Sequence, residues 1–89
     1  MYYKYLVEFL GSVFFVYVVL STGNPLAIGA ALALTILIIR NISSGYLNPA
    51  ITVVMASAGV IETSEILPYI LAQVFGALVA LEVYKRYKI

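Results

Sequence analysis

Three uncharged and largely apolar stretches, residues 9–39, 41–61 and 66–81, are set apart by short charged intervals. The first is too long for one membrane crossing, because about 20 apolar residues span the roughly 30 Å hydrocarbon layer. Ser21-Thr22-Gly23-Asn24-Pro25 divides it. This run is a turn signal, and Asn24-Pro25 couples an N-cap to a first-turn proline. The pattern predicts one helix over residues 3–20 and a second over 25–40, the latter about 24 Å long and slightly short for a full crossing. Ala27, Gly29, Ala31 and Ala33 supply small-xxx-small spacing in the second helix, which is read as close packing rather than a transport feature. A third crossing is predicted over residues 64–84. Thr63 or Ser64 can cap it, Glu62 and Glu65 suit the positive end of its dipole, and Lys85, Arg86 and Lys88 suit the negative end. Pro68 falls near its first turn, where a missing N–H does least harm.

The stretch over residues 41–57 is neither a loop nor a full span. It opens with the polar run Asn41-Ile42-Ser43-Ser44-Gly45-Tyr46-Leu47, after which Asn48-Pro49 starts a new helix that Gly59 can stop. About nine helical residues give roughly 13 Å, less than half the hydrocarbon thickness. Such a segment between two crossings must enter the membrane and return. Irregular backbone at that depth is tolerated where it is buried in protein or lines a wet cavity. The positive end of the short helix then lies near the midplane, which favours a pore or transporter lining over an inert surface helix. Asn48 brings a side-chain amide to the same place.

Composition agrees with a membrane protein. Hydrophobic residues make up 64% of the 89 residues and charged ones only 10%, against about 25% charge in soluble domains. A soluble fold of this size cannot bury so much apolar material. The formal charge of +1 offers no field for nucleic acid. With no Cys and no His there is no disulfide frame, zinc site or imidazole base, so neither a metal nor a cofactor is expected, and the chain reads as a non-enzyme. Tyr2, Tyr3 and Tyr5 at one end, and Tyr84 and Tyr87 at the other, read as interface anchors. A secretory signal at the N-terminus is disfavoured by Glu8 and by the lack of a small-residue cleavage site. The fold class expected is therefore an all-α, multi-pass integral membrane protein with three transmembrane helices and one re-entrant half-helix.

Asn48-Pro49-Ala50, in the context Ile42-Ser43-Ser44-Gly45-Tyr46-Leu47-Asn48-Pro49-Ala50-Ile51-Thr52, resembles the first signature loop of the aquaporin (major intrinsic protein) family. Three further matches stand in the family's order: Glu8-Phe9-Leu10-Gly11, Leu26-Ala27-Ile28-Gly29, and Tyr69-Ile70-x-Ala72-Gln73-x-x-Gly76-Ala77. Together they cover nearly the whole chain. The resemblance is to one repeat, the first half of a protein in which two inverted halves meet at their half-helices.

This resemblance implies a passive channel for water or small uncharged solutes such as glycerol. Asn48 would donate its amide to the permeant, Pro49 and Ala50 would stack the half-helices, and the carbonyls of Ser44, Gly45 and Tyr46 would line the pore. Glu8 matches a glutamate that buttresses the re-entrant loop, while Gln73 and Gly76 match packing positions. Ile28, Ile36 and Ile51 are assigned to the constriction; an aromatic residue is usual in the family at the first of these, and Ile51 leaves the filter without the arginine that second halves carry. An apolar filter offers fewer hydrogen bonds to water, which opens the permeant to glycerol-like solutes.

One half leaves its polar loop facing lipid, so the expected partner is a second, inverted copy, with four such pairs making an octamer. Lys4 and Arg40 on one side against Lys85, Arg86 and Lys88 on the other is a weak bias that permits both orientations. Two alternatives remain open: a small proton-coupled transporter using Glu8, and a non-conducting half that pairs with another channel subunit.

Overall fold

The computed structural model describes residues 3–87, so Tyr2 and Lys88 lie outside the described residues. The elements are α1 (Lys4–Thr22), α2 (Pro25–Ile39), α3 (Pro49–Ser57) and α4 (Ile66–Arg86), with a 3-10 turn at Thr63–Glu65 before α4. No strand occurs among the described residues. α1, and the continuous segment Thr63–Arg86, are long and apolar enough to cross a membrane, whereas α2 is shorter. At 1.5 Å per residue α2 is about 22 Å long and α3 about 13 Å.

Local chemistry sets the helix ends. Gly23 takes the left-handed conformation (φ 54°) and its N–H returns to the Val19 carbonyl, which closes α1 two residues beyond Leu20. Asn24 Oδ1 then accepts the N–H groups of Leu26 and Ala27 at 2.9 and 3.1 Å, so α2 starts on a fully formed cap. At α4 the expected hydroxyl cap is absent. Ser64 Oγ faces Glu62 at 3.4 Å instead, because the 3-10 turn delays the α-helix until Ile66. The helix then continues past Tyr84 to Arg86, with Lys85 and Arg86 in its last turn.

Contacts along α1 pair Lys4 with Glu65, Glu8 with Gln73 and Tyr17 with Tyr84, so α1 and α4 run parallel. Their crossing depends on Gly76, where a Cβ would lie 2.6 Å from the Phe9 carbonyl oxygen. α2 packs antiparallel on the other side of α1. Gly11 leaves room there: a Cβ would fall 2.9 Å from Thr35 Cγ2 and 3.0 Å from Leu47 Cδ2. Gly29, in the small-residue stripe of α2, has open space around it, so within this chain the close approaches are made by Gly11 and Gly76.

The interior inverts the soluble pattern. Its buried side chains include Glu8, Ser12, Thr35, Ser43, Thr52 and Gln73 beside small apolar residues such as Ala31, Ala56, Ala72 and Ala80. Leu26, Leu34, Ile38, Phe14, Leu67 and Phe75 point outward. An apolar exterior and a polar interior that is hydrogen-bonded, except at Ser12 Oγ, which has no partner among the described residues, are what a hydrocarbon solvent selects, since unpaired polar groups there cost several kcal/mol each.

Candidate functional site

Residues 43–48 pass from the end of α2 to the start of α3 as an irregular length of backbone with no β structure, the re-entrant strand, and Glu8 holds it. Glu8 is fully buried on α1. Its Oε2 accepts the Ser43 hydroxyl at 2.7 Å, and its Oε1 accepts the Leu47 N–H at 2.9 Å and Gln73 Nε2 at 3.1 Å. All of these partners are donors, which suits a carboxylate that only accepts. Ser43 Oγ in turn accepts the Gly45 N–H at 3.1 Å. Two residues of the strand sit at positive φ: Gly45 at 70° and Leu47 at 55°. Glycine takes that conformation at little cost, but a leucine there is strained by roughly 1–2 kcal/mol. Leu47 stays in place because its N–H is bonded to Glu8 and its buried side chain packs over Gly11.

Asn48 is the N-cap of α3, with Pro49 at the first position. Its Oδ1 accepts the Ala50 N–H at 2.7 Å. That leaves Nδ2, which donates to no group among the described residues, on an exposed side chain at the positive end of α3. Behind it, Thr52 Oγ1 contacts the Asn48 carbonyl at 3.0 Å and receives Gln73 Nε2 at 2.9 Å. A continuous polar spine therefore runs from Glu8 through Gln73 and Thr52 to the backbone of Asn48, joining α1, α4 and α3.

In front of Asn48 lies an open groove of about 370 Å³. Gly45, Tyr46, Asn48, Ile36 and Ile51 line it, together with Phe15, Leu32 and Leu47. Phe15 and Leu32 lie near the midpoints of α1 and α2, so the groove is at mid-depth of that helix pair. Ile28 shares the face of α2 that carries Leu32 and Ile36, at spacings of four, but sits one turn beyond the groove and is not among its lining residues. Ser44 is not among them either; its Oγ lies 3.2 Å from Tyr69 Oη. Pro49 and Ala50 belong to the cap, Gln73 joins the spine, and Gly76 belongs to the helix crossing. Gln73, expected only to pack, thus carries hydrogen bonds to both Glu8 and Thr52.

Ser43, Thr52, Phe15 and Leu32 were not singled out by sequence reasoning. Leu32 falls midway between Ile28 and Ile36 at helical spacing, and Thr52 lies one turn after Asn48, so both had a periodic signal. Phe15 and Ser43 had none. Among the described residues no group of His, Cys, Asp or Glu is assembled to hold a metal.

The family model described as "Major intrinsic protein" matches residues 1–88. The chain is 39% identical to the glycerol uptake facilitator protein-like 6 of Lactiplantibacillus plantarum, covering 94% of this chain and 43% of that protein. It is 45% identical to aquaporin Z of Bradyrhizobium diazoefficiens over 67% of this chain and 25% of that one. Against aquaporin-8 of Notomys alexis the identity is 37%, with 82% and 32% covered. The chain thus spans less than half the length of each of these relatives. No solved structure matches it.

Proposed function

This chain belongs to the major intrinsic protein family and is an integral membrane protein, and we propose that it forms one wall of a passive, non-enzymatic channel for water or small uncharged solutes. The observation that carries the reading is the groove at Asn48. Asn48, with an uncommitted amide donor at the positive end of α3, lines one apolar trough together with Gly45 and Tyr46, walled by Ile36 and Ile51. A polar strip in an apolar trough lets a neutral molecule exchange hydrogen bonds with the wall. The dipole end raises the energy of a cation there. Ile51 and Ile36 offer no charge to hold an ion, which favours neutral permeants such as water and glycerol.

The described residues contain a single set of the elements, and the groove they form is only partly enclosed. A second wall has to come from another repeat. We infer that an inverted copy of this chain supplies it, with four such pairs assembling together. Basic residues lie at both ends of the α1 and α4 pair, Lys4 at one and Lys85 and Arg86 at the other, so positive charge only weakly favours one orientation. Proton-coupled transport through Glu8 is the weaker reading, because that carboxylate is fully buried and committed to the strand rather than to the groove.

Stopped-flow light scattering on vesicles holding the purified chain tests the channel directly. Water or glycerol permeability should rise with protein density, without a pH gradient. Permeability equal to that of empty vesicles, from a preparation sized as pairs, overturns the channel. Single cysteines placed near each terminus, in a chain with no native cysteine, should label from both membrane faces. Labelling from one face alone, or monomers only in native mass spectrometry, overturns the inverted pairing.

A further inference from the structure

We propose that Tyr69 is a positioning residue of the groove, holding Ser44 through its hydroxyl and Tyr46 through its ring. The functional part of this rests on the channel reading above; the structural part does not. Tyr69 is 1% exposed and is the largest fully buried side chain among the described residues. A buried tyrosine hydroxyl needs a partner, and Tyr69 Oη has Ser44 Oγ at 3.2 Å. Its ring meets the Tyr5 ring in a T-shaped contact, with centroids 5.2 Å apart and planes at 81°. It also meets the Tyr46 ring, with centroids 5.5 Å apart and planes tilted by 43°.

The position of Tyr69 follows from a clasp at the start of both long helices. Lys4 pairs with Glu65, one turn before Tyr69 on α4, and Tyr5 Oη donates to the same carboxylate at 3.3 Å. Tyr5 is thereby fixed against Tyr69, and Tyr69 against the strand. Glu8 and Tyr69 divide the strand between them. Glu8 binds Ser43 and Leu47, near the two ends, and leaves residues 44–46 bonded to it only indirectly, through the Gly45 N–H on Ser43 Oγ. Gly45 is conformationally free at φ 70°, so without a second hold the peptide planes on either side of it can turn. Tyr69 grips Ser44 on one side of that glycine and Tyr46 on the other. Because Tyr46 lines the groove, the ring behind it limits how far Tyr46 can retreat. Width and carbonyl direction are thus set from α4 by a residue that does not itself line the groove.

The test compares Tyr69→Phe, Ser44→Ala and the double variant, with amide exchange at Gly45 and Leu47 read by NMR. Tyr69→Phe keeps both ring contacts and removes only the hydroxyl. Each single variant should speed exchange by about fivefold, the population shift expected for one lost hydrogen bond. The double variant should match the singles, because both remove the same bond. A Tyr69→Leu variant removes the ring as well and should raise the glycerol-to-water permeability ratio about twofold or more, a change that simple loss of folded protein does not produce. Unchanged exchange in both singles, or effects that add in the double, overturns the hydroxyl hold. An unchanged ratio in Tyr69→Leu overturns the ring's role. Wild-type vesicles with no flux sink the channel reading instead, and the exchange measurement still decides the anchor.

Discussion

Replacing Glu8 with alanine should unseat the re-entrant strand, and the size of the effect can be worked from its partners. The substitution removes the acceptor for Leu47 N–H, Ser43 Oγ and Gln73 Nε2, all buried. Those donors do not fare equally. The Ser43 hydroxyl can rotate, and Gln73 Nε2 keeps Thr52 at 2.9 Å. The Leu47 N–H cannot turn without giving up the left-handed conformation at φ 55°. An orphaned buried donor costs about 1–3 kcal/mol, and a hydrogen bond to a charged group contributes about 1.5–3 kcal/mol. Removing the carboxylate also relieves its own desolvation cost and strands no charge, because its partners are neutral donors. The net expectation, from the orphaned Leu47 N–H and the lost hydrogen bonds, is a loss of about 2–4 kcal/mol, against the roughly 5–15 kcal/mol typical of a fold. Glu8→Gln keeps one acceptor oxygen for Leu47 and should lose only about 1–2 kcal/mol. Reversible denaturation in mixed micelles measures both, and amide exchange at Leu47 locates the change. An alanine variant within about 1 kcal/mol of wild type, or equal to the glutamine variant, refutes the argument that Glu8 acts by accepting these donors. A proton-carrying Glu8 makes the opposite forecast: glutamine would keep the stability and abolish pH-driven flux.

Gly76→Ala should weaken the α1 and α4 crossing by about 1–3 kcal/mol, because its Cβ would meet the Phe9 carbonyl oxygen at 2.6 Å. Backbone cannot turn aside as a side chain can, so equal denaturation midpoints for the variant and wild type would contradict the geometry. Gly45→Ala has more room, with Ile36 Cγ2 at 3.4 Å, but puts a side chain at φ 70°; a loss of about 1–2 kcal/mol and faster Leu47 exchange are expected. Asn48→Asp keeps an acceptor for the Ala50 N–H and so the cap, while replacing the free amide donor with a charge. Near-normal stability with changed water and glycerol permeability in stopped flow is the forecast, and unchanged permeability would count against a lining role.

Some of the molecule is written in short stretches of sequence, because the physics there is local. Ser21 to Pro25 carries its own turn signal: Gly23 accepts the left-handed conformation, and Asn24 caps the next helix with its own side chain. Asn48-Pro49 starts α3 by the same means. A chain with 64% hydrophobic residues and charges confined to short intervals calls for lipid before any contact is known. Helix ends are less local. α1 and α4 each run two residues past their expected stops, since regular backbone bonding continues until a residue leaves the helical conformation.

What tertiary structure alone decides is which side chains meet. Helix rotation and crossing place Glu8 against Ser43, Leu47 and Gln73, and set Tyr69 between Tyr5 and Tyr46, across sequence separations no periodic signal encodes. Crossing depth leaves Ile28 one turn short of a groove that its face-mates Leu32 and Ile36 line. Leu47 could not be foreseen at positive φ, because its conformation is unfavourable by itself and is held by a carboxylate 39 residues away. Turns and caps depend on neighbours along the chain; a polar interior depends on every helix being in place at once.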